Sequence, residues 1–149
     1  MSVQAQVQEC LEPLVAENGL FLEKVVLAKS GKNTLVRVVI DLIDTPGGVS
    51  SDKIVEISRK ISKLLDEKDP IKGAYTLEVT TAGAERDITD LRLWKRAVGR
   101  HVKYSYEEQI IEGKVQRVLD DKVVVISVKD SEQEYEIEKI QKARTIIVF

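Results

Sequence analysis

Beyond Gly99 the periodicity of this chain changes to two. HVKYSY, IIEGKVQRVL, KVVVISVKD, EYEIEKI and TIIVF are short β-rich runs, separated by polar turns such as Asp120-Asp121 and Lys129-Asp130-Ser131. A period of two places alternate side chains on one face of a strand. Five such strands at short intervals, with no helical stripe among them, predict a small β-barrel.

The chain before Gly99 has a different rhythm. Val3, Val7, Cys10, Leu11 and Leu14 recur at spacings of three and four, which puts one apolar stripe on a first helix ending near Asn18-Gly19. FLEKVVLAKS and NTLVRVVIDL follow as β runs parted by Gly31-Lys32. In the second, Val36, Val38, Ile40 and Leu42 alternate with Arg37 and Asp41, and the two runs predict a hairpin. After Thr45-Pro46-Gly47-Gly48, Ser50 is placed to cap a second helix, with Asp52 in its first turn. Ile54, Ile57, Ile61, Leu64 and Leu65 line one face of that helix, which must stop before Pro70. AYTLEVT is a third strand. Thr89 is placed to cap a short helix through Leu91, Trp94 and Val98, with Gly99 as its left-handed stop. The expected fold class is α+β, in two domains of unlike kind. Residues 1–90 form the first and residues 91–149 the second, with a short linker helix over 90–98 at the junction.

Several function classes are excluded early. A single cysteine, Cys10, permits neither an intrachain disulfide nor a thiolate zinc cluster, and a single histidine, His101, removes most zinc-site layouts and leaves no spare imidazole for a triad. No apolar run approaches the length of a membrane span, and MSVQAQVQEC lacks the layout of a secretory signal, so a cytoplasmic location is expected. Asp41 and Asp44 beside Gly47-Gly48 offer carboxylates to a divalent cation, but acidic residues there are more simply turn formers. There is no phosphate-cradling glycine loop and no nucleophile motif, so neither an enzyme nor a cofactor is expected. The absence of a heptad repeat leaves a monomer as the expectation.

Charge is unevenly spread. Residues 1–90 carry eleven basic and fifteen acidic side chains, residues 91–149 twelve basic and ten acidic. From Leu91 to Ser105, Arg92, Lys95, Arg96, Arg100 and Lys103 occur with no Asp or Glu among them. Arg92, Lys95, Arg96 and Gly99 share one helical face, while Leu91, Trp94 and Val98 share the other. One reading is an ordinary solvated face over a buried Trp94. The other is a surface for phosphates, whose binding would fall steeply with salt. Lys29 and Lys32 in the hairpin turn read as soluble turn residues. Tyr104 and Tyr106, one strand period apart, read as core rather than base-stacking residues.

A second feature is LEVTTAGAERDI at residues 77–88, where a strand stops at a glycine followed by a charge cluster. In the plain reading Gly83 supplies a left-handed turn and Arg86 pairs with Glu85, Asp87 or Glu78. In the functional reading the hydroxyls of Thr80 and Thr81, the glycine turn and Arg86 present donors to a phosphate or carboxylate, because guanidinium binds either in a bidentate way.

These stretches resemble the ribosome maturation factor RimP family. The resemblance runs through VRVVID, GGVSSDKIVEISRKISKLLDEKDPI, YTLEVTTAGAERDI, a Trp-containing helix and IQKARTIIVF. Of the family's Leu-Glu-Val-Ser-Ser-Pro-Gly-x-x-Arg pattern, Leu77, Glu78, Val79, Gly83 and Arg86 match. Thr80 and Thr81 replace the serines and Ala82 the proline, which keeps the hydroxyls and removes the rigid ring.

The resemblance implies an α-β-β-α-β-β two-layer first domain, with residues around Glu85 to Ile88 as its last strand, and an Sm-like or SH3-like barrel as the second. It also implies a non-enzymatic assembly factor for the small (30S) ribosomal subunit or its precursor, acting late near the ribosomal protein of the decoding region. On that reading the basic face, Thr80, Thr81, Gly83 and Arg86 meet rRNA or protein, and acidic surface such as Glu107, Glu108 and Glu112 meets a basic ribosomal protein. The alternative is a peptide-binding adaptor built on the SH3-like barrel, although the chain lacks the dense aromatic groove such adaptors use.

Overall fold

The computed structural model of the chain describes residues 2–83 and 86–148, the side chain of Ser30 apart. By contact the chain divides into two compact units. One runs to Ala82 without Asp44–Gly47, and the other takes Asp44–Gly47 and the chain from Gly83 onward.

In the first unit, helix α1 spans Val3–Glu17, strand β1 Leu20–Ser30, strand β2 Asn33–Leu42, helix α2 Ser51–Lys68 and strand β3 Tyr75–Thr81. The Ser2 hydroxyl accepts from the Ala5 amide to open α1, and the Ser50 hydroxyl accepts from the Lys53 amide to open α2. Gly19, at φ 73°, turns the chain after α1, and Asp69, in the left-handed region, ends α2 ahead of Pro70. The sheet order is β1-β2-β3, with β1 and β2 antiparallel and β2 and β3 parallel. Val7, Leu11 and Val15 of α1 and Ile57, Ile61 and Leu65 of α2 form one core with Val25, Val36, Val38 and Ile40 of the sheet. Each of these side chains contributes roughly 1.5–3 kcal/mol by burial. The alternation expected in β2 holds at Arg37, which is exposed, and fails at Asp41, which is buried. As the central strand, β2 is covered on both sides from Val38 to Asp41.

The second unit contains helix α3 (Leu91–Arg96) and strands β4 (His101–Tyr106), β5 (Gln109–Leu119), β6 (Val123–Val128), β7 (Ser131–Glu136) and β8 (Gln141–Ile146), with a 3-10 turn at Ile137–Lys139. All pairings are antiparallel in the order β7-β6-β5-β4-β8. Among the described residues β7 and β8 do not pair, so the sheet does not close into the expected barrel. The hairpins β4-β5 and β6-β7 turn on Glu107-Glu108 and Lys129-Asp130, all four residues at positive φ, the geometry of type I′ turns.

Two expectations are corrected here. The cap of α3 is Asp90, whose carboxylate accepts from the Leu93 amide, not Thr89. Asp90, at φ −151° and ψ 173°, sits at the extended position from which a side chain reaches back to the third amide of the helix. The short strand expected from Glu85 to Ile88 does not extend the first sheet. Glu85 lies outside the described residues, and Arg86 to Ile88 bind β8. Asp87 bridges Arg144, the Ile88 amide donates to the Ala143 carbonyl, and the Thr145 amide donates to the Arg86 carbonyl. The open edge of β8 satisfies these backbone groups.

Candidate functional site

The residues singled out from the sequence fall into three places. Thr80 and Thr81 end β3, in parallel register with Val39 and Ile40, and the Thr80 hydroxyl donates over 3.4 Å to the Thr81 carbonyl. Gly83 and Arg86 group with the second unit. Gly83 is exposed and its φ lies outside the left-handed region, so it does not make the expected left-handed turn. A Cβ added there meets nothing within 4 Å. Arg86 is half-buried, and its amide donates to the Thr145 hydroxyl at 3.0 Å. Glu78, one of its candidate partners, instead accepts from the Arg37 guanidinium at 3.2 Å across β2 and β3.

The basic segment forms the second place. Trp94 is 3% exposed and packs with Leu93 and Ala97 into the core of the second unit, against residues such as Val102, Tyr104 and Val115. Gly99, at φ 86°, donates its amide to the Val115 carbonyl, and the Val115 amide donates to the Arg100 carbonyl, which ties the end of α3 to β5. Trp94 is therefore core, as its place on the apolar face predicted. The cationic face is largely engaged. The Arg96 guanidinium donates to the Thr45 and Gly47 carbonyls at 2.6 and 2.8 Å, and Arg100 reaches the Gly47 carbonyl at 3.4 Å. The Lys95 ammonium lies 3.0 Å from the Asp121 carboxylate and 3.9 Å from that of Asp44. Arg92 is half-buried. Asp41, in β2, and Asp44, beside Lys95, therefore serve different surroundings.

Lys103 stands in the third place, on the outward face of β4, where an open groove of about 570 Å³ is lined by Lys103, Tyr104, Glu108, Ile110, Lys142 and Arg144 with two further residues. Sequence reasoning missed Lys142 and Arg144, because only the pairing of β8 with β4 brings them beside Lys103. Beneath the sheet Tyr135 meets Tyr104 and Tyr106 edge to face, with ring centroids 5.2 and 4.9 Å apart. Burial pushes the Tyr104 phenol far above its usual range, with the Tyr135 phenol adding to the rise. These tyrosines are core, not a base-stacking platform.

The acidic side of this unit is partly neutralised. Arg117 grips Glu132 through both guanidinium nitrogens at 3.0 and 3.2 Å, which lowers the Glu132 carboxyl below its ordinary value, and Lys139 pairs with Glu136 at 3.1 Å. Glu134 is exposed on the same edge strand, β7. No helix among the described residues is long and apolar enough to cross a membrane.

A family model described as the RimP N-terminal domain matches residues 10–85. A protein named Ribosome maturation factor RimP from Parafrankia sp. (strain EAN1pec) is 34% identical over 137 residues, an alignment covering 76% of this chain and 44% of that relative. The chain thus spans less than half the length of the curated relative it matches.

Proposed function

The chain belongs to the ribosome maturation factor RimP family, and from that premise we propose that it is a non-enzymatic assembly factor that binds the small (30S) ribosomal subunit or its precursor in the cytoplasm and promotes late maturation. The observation that carries the proposal is the match of residues 10–85 to the family's N-terminal domain, together with a relative bearing the maturation-factor name. The proposal includes a two-domain organisation, residues 1–90 and 91–149, in which the contacts of residues 86–88 favour a boundary nearer Gly83. It also includes an Sm-like or SH3-like lineage for the second domain, for which the five-stranded antiparallel order is the support.

The partner surfaces follow from charge. The protein acts as a monomer between rRNA phosphates and a basic ribosomal protein near the decoding region. Thr80, Thr81, Gly83, Arg86, Arg92, Lys95, Arg96, Arg100 and Lys103 are the candidate contacts. Because Lys95, Arg96 and Arg100 already hold carboxylates and carbonyls, their first task is structural, and the exposed Lys103 is the member best placed to meet phosphate. On the edge strand β7, Glu134 is exposed beside the already paired Glu132 and Glu136, and its carboxylate suits the basic protein partner.

Depletion of the protein from its host tests the function. Small-subunit precursors with unprocessed rRNA should accumulate while large subunits mature normally. An unchanged subunit profile would overturn the proposal.

A further inference from the structure

We propose that the outward groove at the pairing of β4 with β8 is a phosphate-binding subsite for a single-stranded segment of RNA backbone, with Lys103 and Lys142 as its cations. The proposal deepens the rRNA-facing part of the reading above and rests on it for the identity of the RNA in the cell.

Three observations in one place carry it. Lys103 and Lys142 stand together at the pairing of β4 with β8, Lys103 opposite Arg144 and Lys142 in the irregular step beside it. Glu112 is the partner of Lys103 on its other side and Glu108 lines the groove, yet among the described residues neither Lys103 nor Lys142 forms a salt bridge. The second observation is the backbone at Lys142. Between the pairs Lys103/Arg144 and Ser105/Gln141, β8 has two residues, Lys142 and Ala143, where β4 has only Tyr104. This is a bulge, and Lys142 sits in it at φ 52°. A bulge turns a side chain out of the regular alternation of its strand, and here the residue it re-aims is a lysine at the groove. Third, Ile110, 72% exposed, and Ile146 give the same groove an apolar wall on which ribose and base faces can rest.

The geometry favours nucleic acid over an acidic peptide. An extended peptide gains most of its affinity by adding a strand to a free sheet edge. The outer edge of β8 already takes the backbone of Arg86 to Ile88. What the groove offers is ammonium groups on long side chains, which bind phosphate without needing a strand edge.

The test is fluorescence anisotropy of a labelled oligouridylate 12-mer against the full chain over a salt series. The Lys103→Gln, Lys142→Gln double variant is compared with a Lys114→Gln, Lys129→Gln control of equal charge change on the same sheet. The double variant should bind at least about tenfold more weakly, with the slope of log affinity against log salt reduced by about 1.4, while the control stays close to the parent. Equal losses in both variants would reduce the effect to general charge and overturn the site, as would no loss in either. Tighter binding of an oligoglutamate 12-mer than of oligouridylate by the parent would overturn it in favour of a protein ligand. Sedimentation of the same variants with small subunits separates the two proposals. Oligouridylate binding that depends on the groove, in a protein that ignores small subunits, would uphold the subsite and sink the ribosomal reading.

Discussion

At the scale of single residues, charge and conformation diverge from what an inert surface needs. Lys142 pays for its left-handed backbone, so Lys142→Gly should raise stability by about 0.5–1 kcal/mol in chemical denaturation while weakening RNA binding. A loss of stability would remove the strain argument. Tyr104 is 1% exposed and its hydroxyl has no hydrogen-bond partner among the described residues. Its pKa is raised in the fold, so the folded state keeps its proton after the unfolded chain begins to lose it near the ordinary phenol value of 10.0. Stability present below that value must fall as pH climbs above it. Tyr104→Phe should cost less than about 1 kcal/mol at neutral pH and flatten the decline above pH 10, read from melting temperature against pH. An unchanged decline would place its cause in other groups. Single residues were also where sequence reading was most exposed to error. Thr89 and Asp90 are both good caps, and Gly83 looked like a turn glycine, but the choice depends on backbone angles that residue type does not encode.

At the scale of elements, the stripes of α1 and α2 and the alternation of β4 and, except at Asp41, of β2 were legible because helical and strand periods are local. EYEIEKI, read as a strand, instead holds the 3-10 turn at Ile137–Lys139, and TIIVF, read as the last strand, holds only the end of β8. Val7, Leu11, Ile57, Ile61 and Trp94 are buried as those periods require. Pairing was not legible. Nothing local to Arg86, Asp87 and Ile88 says that they bind β8 rather than extend the first sheet, and nothing local to Lys103 says that Arg144 lies opposite. Close packing between strands is similarly long-range. In β5, a Cβ on Gly113 would stand 2.6 Å from both the Ser127 carbonyl oxygen and the Ile126 side chain. Gly113→Ala should therefore cost about 1–3 kcal/mol, since a backbone atom must move to admit one methyl group. A loss under about 0.5 kcal/mol in urea denaturation would mean that β6 yields freely there.

At the scale of the whole molecule, neither composition nor net charge of −2 points to a ribosome. The family became legible through stretches such as LEVTTAGAERDI and VRVVID, and the match over residues 10–85 supports that reading. The proposed function depends on two surfaces of opposite sign, each with part of its charge already committed to the fold. Lys95 and Arg96 hold a loop, Glu132 is gripped by Arg117, and Lys103 and Lys142 remain for phosphate. Binding to a ribosomal particle should consequently depend on salt.

The most direct measurement is co-sedimentation of the purified chain with small subunits, large subunits and intact ribosomes over a range of salt concentrations. The account predicts selective association with the small subunit or its precursor, weakening steeply as salt rises. A protein that remained at the top of every gradient at low salt, with immature small subunits present, would contradict it.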